Sequence, residues 1–103
     1  MRSSGAVAFL LAAALSSQAQ ADPIPTKNLA ADRRACTATC TSRGVALAKC
    51  TPYCDCISHG VGQAFTFEEY TAAAAATQQN KYPPKDVMDR MNAIAKACAA
   101  NVQ

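Results

Sequence analysis

The sequence has no tryptophan and only three phenylalanines and three tyrosines. It has a single histidine, His59, and four glycines. Each scarcity excludes something. Few aromatic side chains mean little apolar area to bury, so a large core is excluded. One histidine leaves no partner for a multi-histidine metal site. Gly60-x-Gly62 is too short for a phosphate-cradling loop. Beyond residue 21 no apolar run is long enough to cross a bilayer, which takes about 20 residues. No segment alternates with the two-residue period of a strand, so the expected class is all-α.

Charge is also sparse and nearly balanced. The whole chain carries a formal +3. Its first residues, Met1-Arg-Ser-Ser followed by the apolar run Gly5–Leu15 and then Ser16-Ser-Gln-Ala-Gln-Ala21, have the order of a secretory signal peptide. Ala19-Gln20-Ala21 reads as the cleavage site, and no cysteine lies beside it to carry a lipid anchor. Cleavage after residue 21 of 103 leaves 82 residues and removes Arg2, for a net +2. That sum is too small to argue for nucleic acid or an anionic surface as a partner. The expected product is an exported protein, periplasmic or secreted, with no membrane span.

Against these scarcities stand six cysteines and an abundance of alanine, 17 of the 82 residues. Alanine buries little area. A small exported domain with a thin core needs staples, so six cysteines are read as three disulfides. Six cysteines allow 15 pairings, and helical geometry selects among them. Asp22–Asn28 is expected as an extended leader, because it contains two prolines. Asn28 is expected to cap a helix over 29–43 that stops at Gly44. Thr51-Pro52 is expected to start a second helix, Thr as N-cap and Pro at the first position, running to about Ala64. Gly60, one turn after Cys56, allows another helix to approach.

Phe65-Thr-Phe-Glu-Glu-Tyr70 carries the clearest local signal. Thr66 with Glu69 makes a capping box, and Phe65 with Tyr70 makes a hydrophobic staple, for a third helix reaching about Asn80. Its five alanines, Ala72–Ala76, suit close packing on a neighbour. Tyr82-Pro-Pro-Lys-Asp86 breaks the chain and opens a fourth helix, where Val87, Met91, Ile94 and Cys98 form one apolar stripe. The expectation is a disulfide-stapled bundle of about four short helices in one domain, 29–103.

Cys36-x-x-x-Cys40 and Cys50-x-x-x-Cys54 are twin CxxxC motifs. On antiparallel helices the nearest cross-pairs are Cys36–Cys54 and Cys40–Cys50, while a bridge inside either motif strains a regular helix. Cys54 and Cys56 point about 200° apart at 3.6 residues per turn. Cys56 therefore faces away from the first helix and is left to Cys98. The twin motif resembles the plant α-hairpinins, secreted defence peptides and protease inhibitors. It also resembles the twin-CxxxC proteins of the mitochondrial intermembrane space, which include small import chaperones. The likeness covers Cys36 to Cys54, about a quarter of the 82 residues. The Tyr53-Cys-x-Cys56 segment, a Glu-bearing third helix and a late Cys98 look like small exported bacterial proteins.

Few residues point to chemistry. Cys54-x-Cys56-x-x-His59 has the ligand types of a zinc or copper site. Cys54, in the first turn of a helix, has the placement of an activated thiol. Glu68 and Glu69 are adjacent, but capping accounts for Glu69. Ser58-His59 are neighbours in sequence, which makes no triad. Arg33-Arg34 reads as a solvated helix face. No catalytic set and no cofactor are expected. The leading expectation is a non-enzymatic, exported protein-binding or accessory protein whose partner is another exported protein. Its candidate contacts are Phe65, Phe67, Tyr70, Tyr82 and Met88. The alternative is a secreted protease inhibitor presenting Arg43 and Lys49 in or beside the Cys40–Cys50 loop. A second alternative uses Cys54, Cys56 and His59 for metal binding or redox exchange.

Overall fold

The computed structural model describes residues 21–102. The signal-peptide reading of residues 1–21 falls almost wholly outside them. The described chain forms four helices: α1 (Thr26–Ser42), α2 (Leu47–Ala64), α3 (Phe67–Gln78) and α4 (Lys85–Asn101). No strand occurs among the described residues, and the class is all-α. α2 is the central element. It packs against α1 on one side and α4 on the other, whereas α3 packs closely against none of them. No described helix is long and apolar enough to cross a membrane.

Three disulfides fix this arrangement. Cys36–Cys54 and Cys40–Cys50 join α1 to α2, with Cα atoms 5.7 and 5.8 Å apart. Cys56–Cys98 joins α2 to α4 at 5.6 Å. These separations are those of ordinary disulfides, and no cysteine among the described residues is free. The pairs are those that helical spacing selects. Cys50 and Cys54, one turn apart on α2, are fully buried. Among the described residues only Ile24, Phe65, Val87 and Cys98 join them as buried apolar residues, so disulfide-bonded cysteines make up half of that buried set.

Both helix starts differ from those the sequence suggests. α1 begins at Thr26, with Pro25 as N-cap at φ −59° and ψ 142°. Proline disfavours helix at the residue before it but not after it, so Thr26–Asn28 join the helix. Asn28 is in the first turn rather than the cap. The remaining leader is extended and anchored. Ile24 is buried against Phe65 and Val87, Pro23 makes an isolated bridge with Thr66, and the Phe67 N–H donates to the Asp22 carbonyl at 2.9 Å. α2 begins at Leu47, not Pro52, so the proline lies inside the helix. An interior proline costs about 3 kcal/mol. The earlier start puts Cys50 on the same helical face as Cys54, where both bridges to α1 can close.

The third and fourth helices start as the sequence suggests. Thr66 and Glu69 form a complete capping box. On α4, Val87 and Cys98 are buried and Ile94 is half-buried, but Met91 is exposed. The alanine run is the exception. Ala72, Ala74 and Ala75 are exposed, and only Ala73 and Ala76 are half-buried. Small side chains permit a close neighbour, but no disulfide or large side chain draws one in.

Two glycines are required by their surroundings. Gly44 ends α1 at φ +86°, a conformation that costs other residues strain. A Cβ at Gly60 meets Ile94 Cγ2 at 2.7 Å. Gly60→Ala should therefore destabilise by about 1–3 kcal/mol through overpacking, despite alanine's better helix propensity. Thermal unfolding by circular dichroism measures this. Cys98→Ser should free Cys56, release α4 from α2 and cost roughly 2–5 kcal/mol. Peptide mapping should still find Cys36–Cys54 and Cys40–Cys50 in that variant.

Candidate functional site: an apolar groove among the four helices

Because α3 stands off from the other helices, a cleft opens beneath it. Its cavity is about 520 Å³ and is mostly apolar. All four helices contribute: Leu29 from α1, Ile57 from α2, Ala73 and Ala74 from α3, and Met88 and Met91 from α4. The volume falls in the range of ligand-sized clefts. Methionine makes such a wall adaptable, since it is unbranched and polarisable.

Polar contacts at the α3 N-terminus hold the groove open. The Thr66 N–H donates to Glu69 Oε1 at 3.0 Å, and the Glu69 N–H donates to Thr66 Oγ1 at 3.1 Å. Arg90, on α4, is the joint. Its guanidinium donates to the Ala64 carbonyl at 2.8 Å, to Glu69 Oε2 at 2.6 Å and to Asp86 Oδ2 at 3.0 Å. It also lies over the Phe65 ring, 4.4 Å from the centroid. One side chain thus serves the C-terminus of α2, the start of α3 and the first turn of α4. Farther along, the Tyr70 hydroxyl donates to Asp32 Oδ2 at 2.6 Å and ties α3 to α1. That acceptor raises the Tyr70 pKa, with burial assisting.

The sequence candidates fall in several places. Tyr70 and Met88 line the groove. Phe65 also touches it but belongs to the buried cluster. Phe67 stacks on Tyr70 with ring centroids 6.4 Å apart. Tyr82, 86% exposed, stands in the linker before α4. Arg43 and Lys49 lie at the α1–α2 turn and line no part of the groove. Arg43 has φ −88° and ψ 7°, and Lys49 is helical. Neither has the extended backbone with which a peptide enters a protease cleft.

The metal and redox alternative meets a direct obstacle. Cys54 and Cys56 point to opposite sides of α2 and bond to different helices. As disulfide sulfurs they offer no thiolate, and His59 is exposed. Sequence reading missed Arg90 and Ile24. Ile24 had one signal, an apolar residue in a polar leader. Arg90 had none, because Ala64 and Glu69 are 26 and 21 residues away. No protein family, curated protein or solved structure was found to match the chain.

The clamp on α3 titrates. The Arg90 guanidinium first, and then the Thr66 backbone N–H, lower the Glu69 carboxyl from its ordinary 4.5 to about 2. A lowered carboxyl stabilises the folded state above its unfolded pKa and loses that contribution as pH falls through the folded one. Near-ultraviolet circular dichroism of Tyr70 should therefore show α3 loosening between about pH 4.5 and 2. In Glu69→Gln that step should be absent and the loosened signal present at neutral pH.

Proposed function

We propose that this chain is a non-enzymatic, exported accessory protein that binds another exported protein, taking an apolar segment of it into the groove. One observation carries the reading. A protein with few large apolar side chains leaves Ile57, Met88 and Met91 around an open cleft instead of closing the cleft over them. Disulfides hold the surrounding helices, so the fold does not require the groove to collapse. An apolar segment entering it gains the burial that the free protein forgoes.

The charged and phenolic groups around the groove support a binding role rather than a reaction. Glu69 and Arg90 are committed to each other, and Tyr70 to Asp32. Export is supported by the Met1–Ala21 pattern and by three disulfides, which persist in oxidising compartments. No cofactor is part of this reading.

A photo-cross-linking residue placed at Met88 should capture one defined protein in the native compartment. The same residue at the exposed Lys96, outside the groove, should not. Ala74→Trp fills the groove from an exposed position and should abolish the Met88 adduct while leaving the disulfide map unchanged. Equal capture from both positions, or none from Met88, removes the groove from consideration.

A further inference from the structure

The net charge of the chain conceals a strong segregation. Residues 33–54 contain Arg33, Arg34, Arg43 and Lys49 and no acidic residue, so all seven acidic residues lie elsewhere. Arg33 is partly neutralised by Asp55 at 3.6 Å. Arg34, Arg43 and Lys49 form no ion pair among the described residues. Arg43 and Lys49 sit at the α1–α2 turn, the end of the hairpin that the Cys40–Cys50 bridge closes, while Arg33 and Arg34 lie farther back on α1.

The same end carries the exposed aliphatic residues. Every residue from Thr41 to Lys49 is exposed. Val45 is 41% and Leu47 60% exposed, between Arg43 and Lys49 in sequence. Three nearby hydroxyls are already engaged. Thr37 donates to the Arg33 carbonyl, Thr41 to the Thr37 carbonyl and Ser42 to the Thr39 carbonyl, at 2.9, 3.1 and 2.7 Å. The tip therefore offers two exposed aliphatic side chains with flanking cations.

We propose that the α1–α2 tip docks the protein on an anionic lipid surface. Val45 and Leu47 enter the headgroup layer, and Arg43 and Lys49 meet lipid phosphates. Charge complementarity selects an anionic partner. A bilayer fits better than an acidic protein because two exposed aliphatic side chains stand between the cations, and a polyanion would leave them in water. A fluid interface requires only apolar side chains beside cations. The disulfide presents the turn already ordered, so docking costs little conformational entropy.

The test uses the oxidised protein with vesicles of phosphatidylglycerol and phosphatidylethanolamine, and with phosphatidylcholine vesicles as control. Leu47→Trp supplies a fluorophore in a chain that has no tryptophan. Its emission should shift to the blue on the anionic vesicles alone and return in half-molar salt. Arg43→Ala and Lys49→Ala should each lower partition about fivefold, the equivalent of about 1 kcal/mol per cation. Leu47→Asp should abolish it. These positions are exposed, so an unchanged disulfide map is expected for every variant. Ala74→Trp should retain vesicle binding, which separates this idea from the groove. No partition into anionic vesicles overturns the proposal, as does partition unaffected by Leu47→Asp. Equal binding to soluble polyglutamate also overturns it and makes the partner an acidic polypeptide.

Discussion

Cys54 and Cys56 leave the same helix in opposite directions, and the rest of the structure depends on that divergence. One sulfur bonds to α1 and the other to α4. α1 and α4 are each held to α2 without packing closely on one another. In a domain with a large core, helices settle where apolar faces meet. Here Ile24, Phe65 and Val87 are the only large side chains in the buried cluster, and covalent bonds do most of the placing. In the chain-entropy picture, loops closed over separations of 18, 10 and 42 residues contribute roughly 3, 3 and 4 kcal/mol before strain. That matches the net stability of a small domain.

Such a scaffold is unevenly held. α1, α2 and α4 are covalently joined, but α3 depends on non-covalent ties alone: a capping box, one arginine, one phenol–carboxylate bond, the extended leader at Phe67 and the packing of Tyr70 and Ala73. The Glu69–Arg90 pair is about a third exposed on both sides, so solvent screens part of its attraction. The element with the weakest ties is also the one that roofs the groove. Local opening follows the elements with the fewest buried contacts, so α3 can move while the stapled frame stays in place. Access to the groove is thereby separated from global unfolding.

What the sequence revealed divides along the same line. The capping box at Thr66 and Glu69 was legible because both partners lie within one turn. The disulfide pairs were legible because a helix converts spacing into direction, so Cys54 and Cys56 had to diverge. The start of α2 was misleading because Thr51-Pro52 is a good local signal. The two bridges to α1 demand that Cys50 be helical as well, and tertiary constraint prevailed over local preference. Asn28 failed as a cap for a related reason, since Pro25 leaves the residues after it free to turn. The alanine run allowed close packing without requiring it. Arg90 was invisible because its significance lies in the Ala64 carbonyl and the Glu69 carboxylate, which only the fold brings to it. The groove was invisible for the same reason, being a space between elements rather than a motif in any one.

The ladder of Cys36–Cys54 and Cys40–Cys50 also accounts for the composition of the hairpin end. A turn held by apolar contact must keep its aliphatic residues inside. This turn is closed by a bridge whose Cys50 is fully buried, so Val45 and Leu47 are released from packing and face outward. Cations can gather there for the same reason, because repulsion between Arg43 and Lys49 opposes a covalent bond rather than a weak contact. At the opposite end carboxylates accumulate, and there they are used: Asp32, Glu69 and Asp86 each bind a partner on a helix. Covalent closure at one end and ionic contacts at the other thus divide a nearly neutral chain into a basic, outward-facing tip and a body in which Asp32, Glu69 and Asp86 are paired.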